Sequence, residues 1–531
     1  MTIRNARALA AATSGASLGP AELIRRLGAE GLEERVRENL RLAADLLAAG
    51  AAERARPFLV RAFQLSGGAR EVLPLFERVH VALGDFAAVR AARKRVGLAA
   101  AAALDPRAVS DLNAWQNTDS ELRGRDTYEI DEEVLAALRR LASPHRLPPR
   151  LAAPPQGRRL RVAHLLFGMT HQNSVIVRIS RLFARFHDRS RFEPAFFAPE
   201  SAAELKGSPQ GEGHVSWLRE QGCTVHLAPA QGTAVERMAA VARQIHESGA
   251  DLLLTSAALA DLHHYLVVAM APAPVAVGLV SGPPAQFAPP DLDHGISWTW
   301  HTQMESPIPC SRVPLETDLP DPARLALRPR ASLGVPGDAV LVATAGRPPK
   351  LRSPALWQLA LQLLDRFPAA HFLCVGATAP QLPEIAPLLE RFRGRVHFAP
   401  WMDAYLEVLG QADVVLDTFP SGGSVALTDA MALAKPVVAF HNDYGRIFDQ
   451  ADWSPAHEYM PECELVVPRG DQGRFLEVAG RLVADPAYRR SMGLRCQADV
   501  RAQRGDPERM VRRCEAVLER VFAGKARGGA A

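Results

Sequence analysis

Two short stretches of this sequence carry residue types spaced for phosphate chemistry. The first, "LDTFPSGGSVALTDAMALAKPVVAF" at residues 416 to 440, reads as a strand, a Pro-Ser-Gly-Gly break, a helix and a second strand. Gly422 and Gly423 stand where a strand ends and the chain must turn sharply, and glycine permits both a positive φ and a close backbone approach. Ser424 falls at the start of the next helix, where free amides and the helix dipole favour an anion. Asp429 follows roughly 7.5 Å further along the axis, where a carboxylate could accept hydrogen bonds from vicinal hydroxyls. Phosphate first and sugar hydroxyls next is the order in a nucleoside diphosphate. The same residues also suit an ordinary strand-to-helix turn with a capping serine and a solvent-facing aspartate.

The second stretch is "ATAGRPPKLRSPALWQLALQLL", residues 343 to 364. A strand ends at Gly346, a basic loop holds Arg347 and Lys350, and a helix opens with Pro354 in its first turn. An ammonium at such a mouth can act as a mobile positive charge against a diphosphate leaving group. Of 62 basic residues only Lys94, Lys206, Lys350, Lys435 and Lys525 are lysines, so one placed here is more telling than another arginine. A solvated loop cation is the alternative.

Both stretches need elements to hold them. From "LRVAHLLFG" (160 to 168) onward, short Val/Leu/Ala-rich runs alternate with helical stretches. They continue through "FEPAFFA" (192 to 198), "TVHLAP" (224 to 229), "DLLLTS" (251 to 256) and "PVAVGLV" (274 to 280). A second set runs from "AVLVATAG" (339 to 346) through "HFLCVG", "VHFAP" and "VVLDTF" to "PVVAF" (436 to 440). Continuous apolar strands divided by helices indicate parallel sheets covered on both faces, hence an α/β chain with two doubly wound domains. Ligands of such sheets gather at the strands' carboxyl ends, here facing each other across a cleft.

Upstream, from about Glu33 to Asp105, the pattern is helical, and "AAGAAERARPFLVRA" overlays "ALGDFAAVRAARKRV" at a shift of 34 residues. Gly50 falls on Gly84 and Arg56 on Arg90, which resembles tetratricopeptide (TPR) repeats; an ordinary helical bundle is the alternative. "PHRLPPRLAAPPQG" (144 to 157) is a linker. The expected organisation is an all-α, TPR-like domain at 1–143, the linker, a Rossmann-like domain at 158–330 and a second at 331–531 with C-terminal helices.

Composition limits the partners. At 531 residues, 48% hydrophobic and 23% charged, the chain is globular, and a net charge of +4 spread among interleaved acids demands neither nucleic acid nor a lipid surface. Six scattered cysteines without a CxxC pair suit reduced thiols and form no zinc motif. The start lacks a signal-peptide pattern, and the apolar run at 266–280 is too short to span a bilayer and is broken by Pro272 and Pro274. The expectation is a cytoplasmic protein with no integral membrane segment.

At this point the residues resemble a family. "RVHFAPWMDAYLEVLGQADVVLDTFPSGGSVALTDAMALAKPVVAF" is similar to the nucleotide-binding half of GT-B glycosyltransferases. It is most similar to the O-GlcNAc transferase and SPINDLY-like group with the bacterial adhesin N-glucosyltransferases, glycosyltransferase family 41. Asp417, Thr418, Phe419, Pro420, Gly423, Asp429, Pro436, Val437 and Val438 keep that family's spacing, and Lys350 with Pro354 matches upstream. "MAPAPVAVGLVSGPPAQFAPPDLDHGIS" and "LRVAHLLFGMTHQNS" are similar to its first Rossmann domain.

The resemblance implies that Lys350 contacts the diphosphate, that Gly422, Gly423 and Ser424 line the phosphate turn, and that Asp429 holds the ribose; Arg347, in the same basic loop as Lys350, is a further candidate for binding the donor nucleotide. It places Tyr405 where a ring could stack on uracil, and His171 in an acceptor-side loop where an imidazole could position a hydroxyl or take a proton. His171 and Lys350 are its catalytic candidates, and the base is left open. It further implies an inverting transfer to a protein side chain from a nucleotide-sugar donor, UDP-GlcNAc or UDP-glucose, without metal or other cofactor, the helical N-terminus presenting a polypeptide. A GT-B enzyme of cell-surface glycan or glycolipid assembly and a non-catalytic scaffold are the alternatives. The segment 178–191, "RISRLFARFHDRSR", is the candidate membrane-docking helix for the glycolipid reading. Two departures stand out: Ser424, Val425 and Ala426 replace a run of threonines, and the apolar "SAALA" follows the strand at 251–256 where the family often has His or Tyr.

Overall fold

A computed structural model describes residues 29–528 except 124–127, 153–156, 171–174, 257, 281–286, 299–305, 383–384, 420–421, 442–455 and 462. The chain divides into two compact units, Met1–Ala103 and Leu104–Ala531.

The first unit is helical: α1 (Ala29–Ala48), α2 (Ala52–Leu65), α3 (Leu73–Ala82) and α4 (Phe86–Ala102). Gly50 and Gly84 precede α2 and α4 with φ of 72° and 70°, the left-handed geometry that glycine adopts without a Cβ penalty. The 34-residue shift thus lands on equivalent turns, consistent with TPR-like helix pairs. Leu59, Phe63, Phe76, Val79 and Val96 form their shared core.

The second unit opens with α5 (Ala108–Gln116), α6 (Thr118–Arg123) and α7 (Glu132–Ala142). The sequence reading groups these helices with the N-terminal domain, but their polar side chains bind the first sheet's surroundings. Asn113 Oδ1 accepts the Leu262 amide at 2.9 Å, Asn117 donates to the Ala260 carbonyl at 3.2 Å, and Arg139 forks onto Asp291 at 3.0 and 2.8 Å. The proline-rich linker runs on the same lobe, Leu147 donating to the Met270 carbonyl at 3.0 Å.

The first lobe runs β1 (Leu160–Leu165), α8 (Val175–Phe186), β2 (Phe192–Ser201), α9 (Pro209–Glu220), β3 (Thr224–Ala228), α10 (Ala234–Glu247), β4 (Leu252–Thr255), α11 (Leu262–Ala269), β5 (Val275–Val280), β6 (His294–Ser297) and β7 (Cys310–Arg312). The second runs β8 (Val340–Ala345), α12 (Pro348–Leu351), α13 (Pro354–Arg366), β9 (Ala370–Val375), β10 (Val396–Ala399), α14 (Tyr405–Leu409), β11 (Val414–Leu416), α15 (Val425–Ala432), β12 (Val437–Phe440) and β13 (Val466–Val467). The sheet orders are β3-β2-β1-β4-β5-β6-β7 and β10-β9-β8-β11-β12-β13, and the paired strands are parallel. Each chain order therefore reverses once, between β1 and β4 and between β8 and β11, and a crevice opens at such a switch point.

Three helices close the chain: α16 (Gln472–Ala484), α17 (Pro486–Arg504) and α18 (Pro507–Gly528). α16 and α17 cover the second sheet, with Phe475, Val478 and Val500 in its core. α18, placed by the sequence reading in the second domain, crosses back: Met510, Cys514, Leu518 and Phe522 pack with Val162, Leu182 and Val277 of the first. Beneath it His164 Nε2 meets His187 Nε2 at 3.0 Å, and His187 Nδ1 meets Glu515 Oε1 at 2.9 Å. Among the described residues no helix is long and apolar enough to cross a membrane.

Candidate functional site

The second sheet's switch point lies between the carboxyl ends of β8 and β11, and both chemistry-bearing stretches leave the sheet there. After β8 the chain makes the single turn α12, whose Leu351 is fully buried and whose Leu351 carbonyl accepts Trp357 Nε1–H at 2.7 Å. That anchorage turns Lys350 toward the glycines: its Nζ donates to the Gly422 carbonyl at 2.9 Å. Arg347 stands exposed at the cap of the same turn.

After β11, Asp417 is nearly buried and its Oδ1 accepts the Gly423 amide at 2.7 Å, which holds the turn closed. A Cβ on Gly423 would sit 3.0 Å from that oxygen. Ser424 precedes α15 yet caps none of its amides; its hydroxyl meets the Tyr459 hydroxyl at 2.9 Å instead. The ordinary capping role of Ser424 is thus set aside.

Asp429 is not solvent-facing: it has no exposed surface. Arg178 of α8 donates to its Oδ2 at 2.8 Å and its Oδ1 at 3.3 Å, and the Tyr405 hydroxyl donates to Oδ2 as well. Burial alone would lower the Arg178 guanidinium's pKa, but the Asp429 charge more than offsets it and raises it. Burial and the same carboxylate push the Tyr405 phenol well above its ordinary value. Tyr405 therefore reaches the site with its hydroxyl committed to Asp429 and its ring on the wall of a cavity of about 90 Å³. Arg178, Gly346, Gly376, Trp401 and Val425 share that wall. Gly376 has φ +111°, and a Cβ there would lie 2.0 Å from the Gly346 carbonyl.

At the carboxyl end of the first sheet, Glu200 closes β2. Its Oε1 accepts the Met169 amide at 3.1 Å, while its Oε2 is buried with no partner among the described residues. Burial, with Asp261 and Glu204 nearby, pushes the Glu200 carboxyl up to about 7. His264 is fully buried with neither ring nitrogen partnered among the described residues, and burial pushes it down to about 4. His263 binds Asp261 at 2.8 Å and His294 binds Ser311 at 2.9 Å. His171 lies outside the described residues. Among the described residues no group of three or more His, Cys, Asp or Glu is arranged to hold a metal ion.

Of the residues picked out from sequence, Lys350 meets Gly422 directly, Gly423 and Ser424 continue that turn, and Tyr405 meets Asp429. Arg178, Gly376, Trp401 and Glu200 escaped the sequence reading. Gly376 alone carried a signal, a glycine directly after a strand at the same height as Gly346.

Two parallel sheets with this order, meeting across a pocket that opens at the switch point, define the GT-B architecture, and residues 344–485 match the family model "Glycosyl transferases group 1". The chain therefore has the GT-B fold, and its second lobe carries a domain that matches the group 1 glycosyltransferase model. Among solved structures it is similar to a mutant O-GlcNAc transferase from Thermobaculum terrenum, at 16% identity and TM-score 0.58, covering 94% of this chain and 99% of that one. It is also similar to Anabaena Alr3699/HepE, solved with UDP and glucose, at 13% identity and TM-score 0.51, covering 68% of this chain and 99% of that one. A glycosyltransferase from Rickettsia africae matches at 10% identity and TM-score 0.50, covering 69% of this chain and 99% of that one. No curated protein sequence matches the chain.

Proposed function

We propose that the chain is an inverting glycosyltransferase that moves a sugar from UDP-GlcNAc or UDP-glucose to a protein side chain. The observation that carries this reading is the Lys350 ammonium on the Gly422 carbonyl, 2.9 Å away, at the mouth of the glycine turn. In a single displacement the acceptor's nucleophile gives up its proton to a base and bonds to the anomeric carbon as the bond to the diphosphate oxygen breaks, and the electron pair leaves on the nucleoside diphosphate. Lys350 and the first amides of α15 neutralise that developing charge without a metal. The Anabaena neighbour's UDP and the Thermobaculum neighbour's name support the donor and acceptor classes. The arginines of α8 support a protein over a lipid acceptor. Arg178 is spent on Asp429, Arg181 donates to His214 at 2.7 Å and covers the Trp217 ring, and Arg185 reaches Asp318 at 3.4 Å.

A donor-hydrolysis screen across UDP- and GDP-sugars tests the site. Lys350→Ala is expected to lower turnover about 10²- to 10³-fold while melting like wild type. Turnover equal to wild type would remove Lys350 from the chemistry. Mass increments on the side chains of a peptide library supplied with UDP-GlcNAc or UDP-glucose test the acceptor class. UDP at a hundredfold excess over its dissociation constant is expected to stabilise the fold by about 2.7 kcal/mol.

A further inference from the structure

Asp429 belongs to the second lobe, yet its guanidinium partner comes from the first. Arg178 Nη1 and Nη2 fork onto the two carboxylate oxygens at 2.8 and 3.3 Å, and Nη2 also donates to the Asp318 carbonyl at 2.9 Å. The carboxylate has no exposed surface, whereas 28% of the Arg178 side chain is exposed and the residue lines the cavity beside Gly346 and Trp401. A forked guanidinium–carboxylate pair is among the stronger polar contacts in proteins, and with the Tyr405 hydroxyl also on Oδ2 it fills both acceptor sites of that oxygen, so a pair of vicinal hydroxyls cannot engage both oxygens. The pair also ties α8 to α15 across the cleft, alongside a contact of Gln210 with Asp403 at 2.8 Å.

We propose that Arg178 is a gate residue of the donor site, supplied by the opposite lobe: it competes with the donor's ribose diol for Asp429, so the diol engages only when this tie between the lobes parts. The inference rests on the donor reading above. A nucleotide then binds with its intrinsic affinity reduced by the fraction of molecules in which the pair is open.

The test is calorimetry on the full chain with UDP, GDP and 2′-deoxy-UDP as probes. Arg178→Met is expected to bind UDP roughly tenfold tighter than wild type, and Arg178→Lys, which keeps a cation but loses the fork, to gain less. Neither should gain for 2′-deoxy-UDP, which lacks the diol. In an Asp429→Ala background Arg178→Met should add nothing, because the competition has lost its object. UDP binding by folded Arg178→Met that equals wild type or is weaker would overturn the gate while leaving the donor site standing. Failure of wild type and all variants to bind either UDP or GDP would overturn both.

Discussion

At Gly376 the backbone itself is the functional group. Its φ of +111° and the 2.0 Å separation between a built Cβ and the Gly346 carbonyl leave room for hydrogen only. Gly346 opens the loop that carries Lys350, so a methyl group at 376 pushes on the ammonium's own support. Gly376→Ala is expected to cost about 1–3 kcal/mol of stability and to weaken UDP binding, read by denaturant titration and calorimetry. A variant that melts lower but binds UDP like wild type would uncouple this loop from the site. At this scale the sequence was readable where neighbours in the chain act together: two glycines, a serine and an acid on one strand–turn–helix. It was silent about Arg178, 251 residues from Asp429, because nothing local says which face of α8 meets the other lobe. Trp401, 39% exposed on the cavity wall, gave no signal either, since a lone tryptophan in a loop matches no pattern.

Among the elements, the one-turn helix α12 shows how a short piece of backbone is aimed. Four residues make too few hydrogen bonds to hold a direction, and Trp357 supplies the rest: its indole N–H fixes the Leu351 carbonyl while its ring packs edge-on against Phe372 at 5.3 Å. Trp357→Phe keeps most of the packing and drops the hydrogen bond. It is expected to cost about 1 kcal/mol and to lower donor turnover by a larger factor than nucleotide affinity, since Lys350 is misaimed rather than removed. Equal turnover would mean that α12 holds its direction without the indole. The long strands were legible because Val, Leu and Ala run unbroken where both faces are covered, and α13 begins at Pro354 as its proline indicates. β6, β7 and β13 were not: His294–Ser297, Cys310–Arg312 and Val466–Val467 are too short or too polar to stand out from loop. α8 illustrates a further limit. A basic amphipathic face reads alike whether it meets lipid, water or another lobe, and here its arginines meet protein.

For the whole molecule, the return of α18 onto the first lobe ties that lobe to the second, and the His164–His187–Glu515 chain makes that docking sensitive to acid. Burial holds His164 well below, and His187 below, the usual 6.5. Burial alone would raise the Glu515 carboxyl, but bonds from His187, the Asp188 amide and Arg512 outweigh it and hold the group below 4.5. A histidine whose folded pKa is depressed contributes fully above 6.5 and loses that contribution as pH falls, because only the unfolded form takes the proton readily. A carboxylate with a depressed folded pKa contributes fully above 4.5 and loses it as pH falls through the folded value. Both therefore loosen α18 on acidification, the histidines first. Glu200, raised to about 7, runs the other way and stabilises the fold as pH falls from 7 toward 4.5, so global melting mixes opposing contributions. Amide hydrogen exchange within Pro507–Gly528 isolates the docking. Protection there is expected to fall between pH 7 and pH 5 and again below 4.5. Glu515→Gln should lower it already at pH 7, by about 1.5–3 kcal/mol for the lost charged acceptor, and should erase the second step while keeping the first. Protection that stays level down to pH 4 would mean that apolar packing alone seats the helix and that the buried chain of histidines and glutamate adds nothing to its docking on the first lobe.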